Sequence, residues 1–89
     1  MVSTETFFKE FKKFKDDGKF VKVLDSKIKR LKENPESVGG YLSGNLHGYK
    51  STRIVGKFRL IFKIHKERSV VVLSAIDKRK FGYNRFDLD

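Results

Sequence analysis

Cysteine is missing from the 89 residues. That excludes a disulfide framework and a thiolate metal site. Histidine occurs only at His47 and His65, too few to fill a zinc centre. Long apolar runs are missing too. The longest, Val70 to Leu73, is far short of the roughly 18 residues a membrane span needs. The N-terminus lacks the basic-then-apolar pattern of a secretory signal. No internal repeat, linker or low-complexity tract divides the chain, and its length suits a single domain over residues 1–89. Paired carboxylates, a Ser-His-Asp set and a phosphate-cradling P-loop are absent as well. These absences lead to the expectation of a cytoplasmic protein with no membrane segment, metal or cofactor.

Acidic residues are the minority. Lys plus Arg total 21 against 11 Asp plus Glu, a formal net charge of +10. The excess is uneven. Residues 1–48 hold 10 basic and 7 acidic residues, net +3, and residues 49–89 hold 11 and 4, net +7. Such a field favours polyanions or an acidic protein partner.

Hydrophobic spacing divides the chain into a helical half and a strand half. Ser3 or Thr4 is placed to cap a first helix. Phe7, Phe8, Phe11 and Phe14 form its apolar stripe, a core-packing pattern, with Lys9, Lys12 and Lys13 largely opposite. Asp16-Asp17-Gly18 is expected to end it, the glycine taking the left-handed conformation. A second amphipathic pattern runs from Lys19 to Glu33, with Phe20, Val23, Leu24, Ile28 and Leu31 on one side. Asn34-Pro35 stops it, because the residue before proline disfavours helical dihedrals. The two helices make a hairpin whose Phe-rich face needs a cover.

Residues 36–48 carry Gly39, Gly40, Gly44 and Gly48 and read as loop, pinned by Tyr41, Leu42 and Leu46. Three strands are predicted after it: Tyr49 to Ile54, Phe58 to His65, and Val70 to Ile76. Their links are of hairpin length. In Phe58–Ile64 the period is two. Phe58, Leu60, Phe62 and Ile64 point one way, and Arg59, Ile61 and Lys63 the other. The Val70–Leu73 run is apolar on both faces and is expected to be the most buried strand, central if Met1-Val2 adds a strand beside it. The predicted class is therefore α+β: an N-terminal helical hairpin packed on a twisted antiparallel sheet of three to four strands. Its open side would display Arg59 and Lys63 as a basic platform.

Three pieces of sequence in this order are similar to one family. They are Leu42-Ser43-Gly44 with Leu46 and Gly48, the segment Tyr49–Phe62 reading YKSTRIVGKFRLIF, and Ile76-Asp77-Lys78-Arg79 with Tyr83 beyond. Following two helices, they resemble the RelE/ParE toxin superfamily, and within it the RelE-type messenger-RNA endonucleases. The resemblance covers nearly the whole chain. It implies the toxin of a toxin–antitoxin pair, silenced by a cognate acidic, RelB-like antitoxin. It also implies action on messenger RNA at the ribosome, cleavage by the RNA's own 2′-hydroxyl without a metal, and no small-molecule ligand. ParE-type relatives keep the fold and act on DNA gyrase. A third reading, outside the enzyme class, is a non-catalytic basic module that binds RNA or an acidic protein.

In-line cleavage needs a group to accept the 2′-hydroxyl proton, cations around the phosphorane-like transition state, and a group to protonate the 5′-oxygen. By resemblance, Arg59 matches the family's strand arginine and would bind the scissile phosphate with its planar fork. Arg79 matches the arginine after the last strand. Tyr83 matches the C-terminal tyrosine, a phenol that neighbouring cations would help to ionise or that would stack on a base. Lys50 and Arg53 lie on the strand where such toxins carry basic catalytic residues. They differ in parity, so a regular strand sends them to opposite faces. A bulge near Val55 would change that. Only Lys50 is a candidate base, since arginine stays protonated. The histidine that some relatives carry beside the terminal tyrosine is replaced by Gly82.

Overall fold

The computed structural model describes residues 1–78. Its elements are β1 (Val2–Ser3), α1 (Glu5–Lys12), α2 (Gly18–Glu33), β2 (Gly40–Tyr41), β3 (Tyr49–Arg53), β4 (Phe58–His65) and β5 (Val70–Lys78). The strands form one five-stranded sheet in the order β1-β5-β4-β3-β2. Three neighbouring pairs are antiparallel, and β1 runs parallel to β5, with Val2 opposite Val72 and Ser3 opposite Leu73. The class is α+β, as expected, but the sheet is mixed and larger. β1 is the strand that Met1-Val2 could add beside β5, and β2, in the stretch read as loop, goes beyond the expectation; each is two residues long. Such pieces are too short to leave a periodic signal.

Thr4 fixes where the chain turns from sheet to helix. Its hydroxyl oxygen accepts the Phe7 N–H at 3.1 Å and caps α1. The same hydroxyl donates to the Ser74 carbonyl at 2.8 Å, and the Thr4 N–H donates to the Leu73 carbonyl at 3.0 Å. Ser74 is the extra residue of a bulge, for Ile61 stands opposite Ala75 while Phe62 stands opposite Leu73. A bulge leaves a ladder group without its partner, and Thr4 supplies one.

Phe7 is buried on α1, with Phe11 and Phe14 packed against the same core. Phe8 is not on that stripe. It lies 100° around the helix from Phe7 and is 53% exposed, with the Lys12 ammonium 4.8 Å from its ring. Asp17 and Gly18 also behave differently from expectation. Gly18 opens α2, and the Asp17 carboxylate caps it by accepting the Phe20 N–H at 3.1 Å. An aspartate facing free N–H groups outcompetes a left-handed glycine here. Phe20, Leu24 and Leu31 are buried, as the spacing predicted. Phe14 stacks on Phe20 with centroids 4.0 Å apart and meets Phe58 edge-on at 4.8 Å, which seats the hairpin on the sheet.

Both faces of the sheet carry a core. On the helix side Leu60, Phe62, Val71, Leu73 and Ile76 pack with α1 and α2. On the other side Ile61, Ala75 and Tyr49 pack with Leu46 and Leu42. The glycine-punctuated loop therefore folds across the face that was expected to be open. The most buried run among the described residues is Leu60–Phe62 on central β4, each 0% exposed, not Val70–Leu73. Gly39 shows how tightly β2 sits. Its φ is +67°, and a Cβ there would run into the Ser51 carbonyl.

Candidate nucleic-acid interface

The register decides which basic residues share a face. Arg53 stands directly opposite Arg59, and Arg59 directly opposite Asp77. Opposite residues project to the same side. That side also carries Ile61, so the row Arg53–Arg59–Asp77 lies on the face away from the helices. Arg53 is exposed, Arg59 half-buried and Asp77 1% exposed. Two like charges directly opposite disfavour the sheet. An anion between them would turn that repulsion into attraction, and two guanidinium forks suit the oxygens of a phosphate.

Lys63 shares the face, two residues along β4 from Ile61. Its ammonium sits 5.1 Å from the Tyr49 ring centroid, so it is directed toward the loop end. His47 is exposed just after the short Gly44–Leu46 turn, and His65 is exposed at the end of β4. Arg79 and Tyr83 lie outside the described residues.

Lys50 is on the other face. Between Tyr49 and Arg53 the strand is regular, since the bulge sits opposite Ile61 and Phe62 and not near Val55. Parity therefore sends Lys50 to the helix side with Phe62. The residue is 1% exposed. Its ammonium donates to the carbonyls of Glu36 at 2.8 Å and Pro35 at 3.3 Å. It also lies 4.8 Å from the Tyr41 ring and 6.0 Å from the Phe62 ring. A buried ammonium needs such partners, and here they hold the segment after α2 against β3.

The network continues outward from there. The Tyr41 hydroxyl donates to a Glu36 carboxylate oxygen at 2.9 Å, and Lys66 pairs with the other oxygen at 3.2 Å. The Tyr41 hydroxyl, then Lys66, holds the Glu36 carboxyl below its ordinary value. In return the bond to Glu36 pushes the Tyr41 phenol and the Lys66 ammonium upward. None of this shows in the sequence as a motif. The available signal was the parity difference between positions 50 and 53. The structure thus brings Arg53 and Arg59 together and separates Lys50 from both. Among the described residues no three His, Asp or Glu side chains gather as metal ligands. No helix among them is long and apolar enough to cross a membrane.

The fold has solved counterparts. The chain is similar to the YoeB/ParE toxin from Agrobacterium tumefaciens, with a TM-score of 0.77 and 20% identity over 86% of this chain and 94% of that one. It is also similar to a chain of the toxin–antitoxin complex RelBE2 from Mycobacterium tuberculosis. There the TM-score is 0.65 and the identity 27%, over 86% and 93% of the two chains. No protein-family model and no curated protein matches the sequence.

Proposed function

We propose that this chain, which has the fold of the RelE/ParE toxin superfamily, is the toxin of a toxin–antitoxin pair that cuts messenger RNA on the ribosome. The observation that carries this reading is the cross-strand pair of guanidinium groups, Arg53 opposite Arg59, on the face away from the helices. Arg59 grips the scissile phosphate. Arg53 shares the charge that builds up as the 2′-hydroxyl attacks and the 5′-oxygen leaves. By resemblance Arg79 and Tyr83 complete the set, the first as a further cation and the second as a phenol for proton transfer or stacking. Lys50 is left out of the reacting set and given a structural role, because its ammonium is engaged on the opposite face. The antitoxin is an acidic protein, in keeping with the net charge of +10 and with the solved complex that resembles this chain.

The test is messenger cleavage in a translating extract. Arg59→Ala is expected to lower the cleavage rate about a hundredfold or more, the size of losing one transition-state contact. The variant should stay folded, since the side chain is not in either core. Normal cleavage by Arg59→Ala would remove the arginine from the site. One observation favours a second reading, an inhibitor of DNA gyrase. The lysine that the resemblance offers as a base is tied down away from the arginines. Blocked supercoiling with intact messenger would establish that reading instead.

A further inference from the structure

Tyr41 is a large side chain left in solvent. It is 57% exposed, although it lies on a strand and beside a buried lysine. It is not a loose side chain. Its hydroxyl is bonded to Glu36 at 2.9 Å, and Glu36 is in turn held by Lys66 at 3.2 Å. The Lys50 ammonium lies 4.8 Å from the ring centroid and is itself fixed by two carbonyls. Lys50 is 1% exposed, so the ring roofs it. The open surface of the ring is then the other face and its rim. A ring held at its tip and under one face has already lost its rotamer freedom. It would therefore bind a flat partner with little further ordering cost.

The setting favours one kind of partner. Among the described residues β2 is an edge strand of the sheet. Lys66, paired with Glu36, lies at the tip of the ring, and Glu67 and Arg68 follow on the same exposed turn. A single exposed ring over a buried ammonium, on a chain of net charge +10, offers stacking together with long-range attraction for a polyanion, the pairing that recognises unpaired bases on a sugar–phosphate strand. A lysine beneath the ring also draws electron density away from the open face, which suits a base with its own π-cloud.

We propose that Tyr41 is a stacking platform for an unpaired nucleobase of an RNA strand, separate from the Arg53–Arg59 face. This rests on the reading of the chain as a protein that acts on RNA. It concerns binding only and needs no cleavage.

The experiment uses the full chain carrying Arg59→Ala, so that the probe survives. The probe is a fluorescein-labelled oligoadenylate of ten nucleotides, read by anisotropy. A second probe of the same length has abasic sugars in place of nucleosides and keeps the phosphates. Tyr41→Ala is expected to weaken oligoadenylate binding by about five- to a hundredfold, the size of one base–aromatic stack. The same change should leave the abasic probe within about twofold. Tyr41→Phe, which keeps the ring and loses its tether to Glu36, should bind between the parent and the alanine variant, and Tyr41→Leu like the alanine variant. The proposal is overturned if Tyr41→Ala leaves oligoadenylate binding unchanged, or if both probes weaken together. The second result would mean a lost fold or lost charge. Given the expected loss, the source of the base follows from sedimentation with ribosomes. Retained co-sedimentation of Tyr41→Ala assigns the base to messenger, and its loss assigns the base to ribosomal RNA. Should Arg59→Ala abolish cleavage while Tyr41→Ala changes nothing, the stacking idea fails and the nuclease reading stands.

Discussion

Lys50 spends its charge inside the protein. In Lys50→Met the carbonyls of Pro35 and Glu36 lose their donor. Lys50→Met should cost about 1–3 kcal/mol in urea unfolding, the range for taking one partner from a buried polar set. Cleavage per folded molecule should hardly change. The opposite pattern, full stability with lost cleavage, would return Lys50 to the chemistry. Glu36 gives a matching pH prediction. Its carboxyl is held below the ordinary value of 4.5 by Tyr41 and Lys66. A group with a lowered folded value stabilises fully above the ordinary value, and the contribution fades as pH falls through the folded one. The parent should therefore lose thermal stability faster than Glu36→Gln as pH drops from 5 to 3. Equal slopes would show that the Glu36 contacts do not persist in solution.

Among the elements, the junction between the helices is the sharpest test of local rules. Gly18 has nothing within 4 Å of a Cβ and begins α2. Gly18→Ala should therefore stabilise by a few tenths of a kcal/mol up to about 1. A left-handed glycine ending α1, as the sequence suggests, would instead make the same change cost about 1–2 kcal/mol. Thermal melting of the variant separates the two. The same contrast explains what was legible beforehand. The spacing of Phe20, Leu24 and Leu31 marked α2 because a buried helical face repeats every three or four residues. The alternation in β4 put Arg59 and Phe62 on opposite faces, as found. It also separated Lys50 from Arg53 once no bulge intervened. The bulge at Ser74 was hidden, because a single extra residue in an apolar strand leaves the composition unchanged. The fold of the loop 42–48 over Ile61 was hidden as well. Leu42 and Leu46 signalled an anchor but not the surface they cover. Arg79 and Tyr83, which the resemblance offered beside Lys50 and the arginine pair, fall outside the described residues.

Across the whole molecule the two sides of the sheet divide the work. The helix side spends its apolar surface on the core and spends one lysine on holding the chain after α2. The far side covers its middle with a loop and carries a pair of opposed arginines on the same face. If those arginines meet phosphates, their contribution must appear in the salt dependence of RNA binding. Each phosphate contact on a single strand adds about 0.7 to the slope of log affinity against log salt. Arg53→Thr and Arg59→Ala should each lower the slope by about that amount. Lys50→Met should leave it alone, although Lys50 carries the same charge. Arg53→Thr should also raise stability by roughly 0.2–1 kcal/mol, since it removes a like charge facing Arg59 across the strands. A protein that gains stability while losing its grip on RNA would have kept that repulsion for its ligand. An unchanged slope in both arginine variants would place the RNA somewhere else on the surface.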